Sequence, residues 1–535
     1  MKKTIFTIAM AIGMSTLMSS QKEFPKMYEL KFPVTVDQWE VNDDITTLVA
    51  GDMAEVCGID AESGKVLWTI ITKEKFGTKK VESWTYDTDL GVVEFKYKGE
   101  KKGDFTYSFV EERTGELIGK ETELRKRSEK APKVKRIKSK RSKSSFAGLG
   151  GLEVADPAVT LNLEYERPKM NSSFGRGKTM PITVSCTGEL SWSTTIQGAF
   201  VRALCDNVIG YGDDFGGDFI DIDTYGNYVF IQYEGLTVLD IKSGKVLWST
   251  TFDFSSFDFG VFKSEMIIGR APMPVCDNNA AYIADLSKDV RAIRKFDLST
   301  GNKLWESERL DKDGIITQMI VVNGALIVRN GGEVLVQKLV VNGNDGSQTC
   351  ISEMKEEGDF SLNAYDVSTG KSLWVADDLK ALGDKFKGIS NLITDNDIIY
   401  VASEKNLFAL EAKTGAAKWK VDVAKMKIGK PGVIYFEGDD ILIGTKEGLA
   451  RVKKSDGATI YATNFDQNFG GFFRGDVYYV WTGKKPDEIN EFIRFNLETG
   501  AVEGGIKDTG YPYFSYDGNE FVKKKDNILY RFKTN

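Results

Sequence analysis

The chain has 535 residues, is 41% hydrophobic and 28% charged, and carries a net charge of −7, the balance of a soluble globular protein or a large repeat array. It contains no histidine, which excludes Ser-His-Asp and Cys-His catalytic sets, imidazole zinc ligands and a His-ligated haem. An enzyme built on this chain would have to work through carboxylates, lysine or a metal held by oxygens.

Residues 1–20 read as a secretory signal peptide. Lys2 and Lys3 form a charged start, Ile5 to Met18 an apolar core, and Ser19 and Ser20 the small residues before Gln21. The apolar run is too short to span a membrane, and no later run reaches that length. No cysteine follows it, which argues against a lipid anchor on a cleaved N-terminal cysteine. Cleavage makes the expected product an exported protein, periplasmic or extracellular.

Residues 26–34, KMYELKFPV, read as a lone strand. From there a phrase repeats. Residues 58–70 are GIDAESGKVLWTI, 238–250 are VLDIKSGKVLWST, 295–307 are KFDLSTGNKLWES and 364–376 are AYDVSTGKSLWVA. Its glycine falls at Gly64, Gly115, Gly188, Gly244, Gly301, Gly370, Gly415, Gly457 and Gly500. An alternating strand precedes each glycine, a polar turn carries it at positive φ, and a second strand follows. Upstream patterning adds two strands per unit. Four short strands in a little over forty residues describe a β-propeller blade.

Tryptophan stands four residues after the glycine at Trp68, Trp192, Trp248, Trp305, Trp374 and Trp419. Tyr461 takes that place in the next unit, and Gly119 and Gly504 take it in two others. A large ring at one place in blade after blade is expected to pack neighbouring sheets together rather than to cage a ligand. The five cysteines, Cys57, Cys186, Cys205, Cys276 and Cys350, form no C-x-x-C pair, and Cys57 and Cys186 read as small buried thiols.

Two insertions interrupt the repeat. Residues 121–180 form a basic insertion. Of residues 125–143, eleven are Lys or Arg and only Glu129 is acidic, a local charge of +10 that cannot bury itself. Lys133, Lys135, Arg136, Lys138, Lys140, Arg141 and Lys143 are its candidate contacts to an anionic partner. The export signal and the lack of interleaved aromatics argue against nucleic acid. Residues 341–359 read as a polar loop. Its Asn342, Asn344 and Asp345 lack the acidic spacing and closing glutamate of a calcium loop. Asp213, Asp214, Asp218, Asp221 and Asp223 read as acidic turns. No metal ligand, catalytic residue or cofactor-binding residue is assigned.

Residues 511–535 supply about three strands with no fourth, so the N-terminal strand is expected to complete the last blade and close the ring. Nine turns plus a shared closing blade allow ten blades. Eight is favoured, because Gly115 and Gly188 flank the least regular region.

The phrase D-x-x-[ST]-G-K-x-L-W resembles the repeat of quinoprotein-dehydrogenase-like propellers, the PQQ-like repeat family, over most of residues 30–535. The resemblance implies an all-β propeller, usually of eight four-stranded blades. It lies closer to non-catalytic scaffold members, such as the outer-membrane barrel-assembly propeller, than to the quinone enzymes. The adjacent Cys-Cys pair of those enzymes is absent, and so is a C-x-x-C-H haem site. The expected function is therefore that of an exported, non-catalytic scaffold or binding module in the cell envelope. Its partner would be a protein or an anionic envelope surface. The alternatives are a PQQ-dependent dehydrogenase and a glycan or small-molecule sensor.

Overall fold

The computed structural model describes residues 23–533 apart from 43–45, 78–80, 88–89, 99–104, 119–151, 166–177, 201–219, 234, 253–254, 257–264, 271, 288–289, 311–314, 342–347, 377–389, 485–488, 508–512, 515–519 and 526–527. Short apolar runs between turn glycines pair antiparallel, each with the next in sequence, because a tight turn allows no other partner. Among the described residues this gives ten sheets, nine of them four-stranded, the repeated blade of a β-propeller.

Two compact units contain them. Residues 1–136 and 463–535 hold the sheets spanning 38–71, 81–118 and 467–507, together with one built from both chain ends. Residues 137–462 hold the sheets spanning 152–200, 221–250, 275–306, 316–375 and 393–422, and all but the last two residues of the sheet spanning 431–464.

Within a sheet the strands differ in burial. Thr47–Gly51 and Ala280–Asp285 are buried at every position. Such central strands have both faces covered, so they read as continuous apolar runs rather than alternating ones. Outer strands keep one wet face, as in the alternating exposure of Thr459–Asn464. Core clusters mix adjacent sheets: Trp248 of one packs with Tyr282 and Phe296 of the next.

All nine phrase glycines sit between the third and fourth strands of a sheet, at positive φ. In eight of them the glycine N–H donates to the carbonyl four residues back, as Gly244 does to Asp240 at 2.8 Å. Where that carbonyl belongs to an Asp, Asn or Glu, the side chain also folds over the turn. Asp297 Oδ1 accepts from the backbone N–H and hydroxyl of both Ser299 and Thr300 at 2.7–3.0 Å. Asn496 makes the same turn without a charge.

Hydrogen bonds to the ionised form hold the carboxyls of Asp60, Asp297 and Asp366 below their ordinary value, led in each by the nearby serine hydroxyl. A depressed folded-state pKa contributes stability above the unfolded value, near 3.8, and loses it as pH falls through the folded one. Asp297→Asn should therefore keep the turn and show a smaller fall in Tm between about pH 5 and pH 3 than wild type. Equal acid sensitivity in both proteins would sink this account.

The last sheet runs Lys26–Lys31, Ile528–Lys533, Glu520–Lys525, Tyr513–Phe514. Leu30 pairs with Leu529 and Lys31 with Ile528. The N-terminal strand thus completes the C-terminal sheet, as its sequence suggested. Ile528–Lys533 thereby becomes internal to its ladder, and its free edge is covered.

Three expectations change. Among the described residues the sheets number ten, the upper of the counts left open, rather than the favoured eight, because Gly115 and Gly188 both head true third-to-fourth strand turns. An insertion lengthens a loop without dissolving the blade around it. The basic insertion does not extend over all of 121–180. Leu152–Ala155 and Ala158–Tyr165 are strands that pair with Lys178–Gly188. AVTLNLEY alternates and carries only one charge, which suits a paired strand and not a solvated tail.

Finally, within 341–359 residues 348–359 are strand rather than loop, while 342–347 lie outside the described residues. Gln348–Asp366 is one long strand, paired with Ala325–Val341 from Ala325↔Asp366 out to Val341↔Gln348. The β-rich run EVLVQKLVV gives its polar side a partner. The outer half of that hairpin adds Glu265–Arg270, which pairs from Glu265↔Lys338 to Ile268↔Leu335, and Ser255–Ser256 pairs with that strand in turn, so this sheet is six-stranded.

Candidate functional site

The six repeat tryptophans lie on fourth strands. Trp68, Trp248 and Trp374 are buried, and Trp192, Trp305 and Trp419 are half-buried. Each indole N–H donates to a backbone carbonyl in the next sheet. The pairs are Trp68–Glu112 (2.7 Å), Trp192–Ile241 (2.8 Å), Trp248–Leu298 (2.7 Å), Trp305–Val367 (2.8 Å), Trp374–Ala412 (2.8 Å) and Trp419–Lys454 (3.1 Å). Every acceptor stands three residues before a phrase glycine.

That glycine lies against the same ring. A methyl group on Gly301 would lie 2.5 Å from Trp248, on Gly370 2.6 Å from Trp305 and on Gly457 2.8 Å from Trp419. The glycine therefore serves two ends, the left-handed turn and the docking face for the preceding sheet's indole. Where this geometry is seen, ring and N–H are both occupied by the protein itself.

Sequence reading missed one member of this series. The fourth strand of the closing sheet is N-terminal and has no tryptophan. Tyr28 stands in its place, donating its hydroxyl to Ala61 three residues before Gly64, whose Cα faces the Tyr28 ring. Arg531 donates to the same carbonyl. The aromatic in KMYELKF was the available signal.

The candidate contacts Lys133, Lys135, Arg136, Lys138, Lys140, Arg141 and Lys143 lie outside the described residues. So do Asp213, Asp214 and Asp218, and also Asn342, Asn344 and Asp345. Asp221 and Asp223 lie on the strand Asp221–Tyr225. Among the described residues no three Cys, Asp or Glu side chains converge as a metal-ligand set. Cys57 and Cys186 are buried free thiols, and burial pushes Cys57 and Cys276 up to about 12. A thiol so shifted is not a nucleophile at neutral pH.

Two cavities open among the described residues of the larger unit. One, of about 590 Å³, is lined by Thr195, Tyr233, Thr237 and Ser249, whose hydroxyls partly satisfy one another: Tyr233 with Thr237 at 2.7 Å and Thr237 with Ser249 at 3.0 Å. The other, of about 620 Å³, lies where the sheets 393–422 and 431–464 meet. Tyr400 and Trp419 form its aromatic wall, 5.8 Å apart, and Asp395, Asp397, Asp439 and Lys454 also line it. Asp397 and Asp439 are exposed, each at the tip of a strand-connecting turn.

Sheets of this order, repeated with docked tryptophans, define a β-propeller built from PQQ-like repeats. The chain belongs to the outer membrane protein assembly factor BamB family, whose model matches residues 183–356 and 312–503, more than half of the sequence. No curated protein matches it. Similar solved structures include BamB from Moraxella catarrhalis, at 10% identity over 67% of this chain and 92% of that one, with a TM-score of 0.34. Sqt1 from Saccharomyces cerevisiae is 12% identical over 59% of this chain and 95% of that one, with a TM-score of 0.27. The computationally designed protein Ika8 is 15% identical over 58% and 95%, with a TM-score of 0.26.

Proposed function

We propose that the protein is an exported, non-catalytic propeller that works as a protein-interaction scaffold in the cell envelope. The observation that carries this is where its repeated chemistry points. The aromatic rings and turn carboxylates that recur from sheet to sheet are engaged with the chain's own backbone and hydroxyls. Family membership supports an assembly role rather than catalysis. Absence of histidine and the raised thiols support it from the side of chemistry. The loops between strands are then free to carry recognition.

The basic stretch 125–143 is proposed as one contact to an anionic envelope surface. Each cation near such a surface contributes about 1 kcal/mol at best, screened over a Debye length of about 8 Å.

The native protein should begin close to Gln21 and leave the cell with the envelope fraction. Crosslinked and purified from that fraction, it should carry a component of outer-membrane protein assembly. Binding to acidic vesicles should fade steeply with salt. It should be lost when Lys133, Lys135, Arg136, Lys138, Lys140, Arg141 and Lys143 become serine. Stoichiometric quinone binding with dye-linked alcohol oxidation would overturn the scaffold reading in favour of a dehydrogenase. Equal vesicle binding by the serine variant would remove the basic contact alone.

A further inference from the structure

The repeat provides its own comparison for the cavity at Tyr400. The sheet 275–306 carries the same aromatic pair, Tyr282 and Trp305, with rings 5.8 Å apart and tilted at 52°. Tyr400 and Trp419 are also 5.8 Å apart, tilted at 43°. In both sheets the tyrosine is the third residue of its run, AAY and IIY, and faces a residue of the third strand. That residue is Lys295 opposite Tyr282 and Ala409 opposite Tyr400. In both, the third-strand residue also pairs with the tryptophan.

Lys295 fills the first site with a cation. Its ammonium lies 5.2 Å above the Tyr282 ring and donates to the Val367 carbonyl at 2.9 Å. Val367 O is also the acceptor of Trp305 Nε1. The Tyr282 hydroxyl donates to Asp277 at 2.6 Å. An aromatic face, a carbonyl with a second lone pair and a nearby carboxylate make an ammonium site that the chain occupies itself.

The second site has the same parts and no lysine on the third strand. Ala409 lines the cavity in place of Lys295. The carbonyl equivalent to Val367 is that of Lys454, which accepts from Trp419 at 3.1 Å. Asp395, equivalent to Asp277, is paired with the Lys454 ammonium at 2.8 Å, and Lys418 is drawn to Glu411 at 2.8 Å. The Tyr400 hydroxyl therefore has no hydrogen-bond partner among the described residues, although the residue is only 4% exposed. The ring is packed away, but the hydroxyl oxygen itself is not sealed from solvent and opens onto the cavity. Burial, then Asp395 and Asp397, push that phenol up to about 12, so it keeps its proton. At the rim, Asp397 and Asp439 add two carboxylates that make no ion pair among the described residues.

We propose that this cavity binds a primary ammonium group, seated against Tyr400 and Trp419 as Lys295 is seated against Tyr282 and Trp305. The rim aspartates favour its charge against the lysines that also line the cavity, Lys418, Lys453 and Lys454, of which Lys418 and Lys454 are held by Glu411 and Asp395; the Tyr400 hydroxyl and the Lys454 carbonyl accept hydrogen bonds from it. The source assigned is a lysine side chain on a partner protein, whose aliphatic stem matches the apolar wall of Ile398 and Trp419. That source rests on the scaffold reading, whereas the ammonium chemistry does not.

Calorimetric titration of the full mature protein tests it with three probes: Nα-acetyl-lysine methylamide, its Nε-acetylated form and 1,5-diaminopentane. The lysine compound should bind at one site and the Nε-acetylated form should not. Tyr400→Phe should weaken binding about fivefold, the loss of one hydrogen bond. Asp397→Asn with Asp439→Asn, both on exposed turns, should weaken it further and flatten its salt dependence. Ala409→Lys should abolish it by supplying the chain's own ammonium, with an unchanged melting temperature as the check on folding. Binding of the diamine alone would assign the same site to a free polyamine and remove the protein partner. The proposal is overturned if no amine binds, if the Nε-acetylated probe binds equally, or if affinity is unchanged in both the Tyr400 and the rim variants.

Discussion

Replacing Trp374 by alanine is expected to destabilise the larger unit by about 3–5 kcal/mol, the usual penalty for emptying a large buried site. The ring is 7% exposed and packs in a cluster with Leu392, Ile399, Phe408 and Leu410 from the following sheet. Its N–H satisfies the Ala412 carbonyl at 2.8 Å, which alanine would leave unpaired. Trp374→Phe keeps most of the packing and loses the hydrogen bond, so it should cost about half as much or less. The urea midpoint should fall for both variants in that order, and acrylamide should quench Trp374 poorly in the native protein. An alanine variant with an unmoved midpoint would show that the docked indoles are not what joins the sheets.

The same residues show how far the sequence could be read. The phrase named the blade because it combines two constraints that each need a particular residue. The turn needs glycine at positive φ, and the interface needs one large ring at fixed distance from it. What the pattern could not convey was the partner of each ring. Trp68 and Glu112 are far apart in sequence, and only the assembled sheets show that the carbonyl three residues before the next phrase glycine receives the indole.

Tyr28 stayed hidden for the same reason, since its partner Ala61 lies in a sheet whose phrase gives no sign of the N-terminal strand. The count of sheets was read too low because irregular loops were taken for irregular blades. Residues 341–359 were read as a loop because the polar strand was judged without its apolar partner, Ala325–Val341. The Tyr400 cavity was out of reach altogether. It depends on Ala409 standing across from Tyr400 where Lys295 stands across from Tyr282, a register that only the paired strands define.

Gly301→Ala tests the dual role of the turn glycine most directly. At φ +69° a Cβ is strained by about 1–2 kcal/mol wherever it stands. Here the added methyl would also lie 2.5 Å from Cγ of Trp248, so ring or turn must shift. The two terms together should cost about 2–4 kcal/mol. Gly226 provides the control, since it has φ +56° and nothing within 4 Å of the added methyl. Gly226→Ala should cost the backbone term alone, about 1–2 kcal/mol.

The clash can then be isolated by a cycle. Trp248→Ala removes the indole, which is 8% exposed and stacked on Phe296 at 5.8 Å, and should itself cost about 3–5 kcal/mol. In the double variant the methyl added to Gly301 enters the space the indole held. The double variant should therefore be more stable than the sum of the single losses by about 1–2 kcal/mol. If Gly301→Ala costs no more than Gly226→Ala, and the cycle is additive, the glycine answers only to the turn. The close approach of indole and glycine would then be incidental to the joining of one sheet to the next.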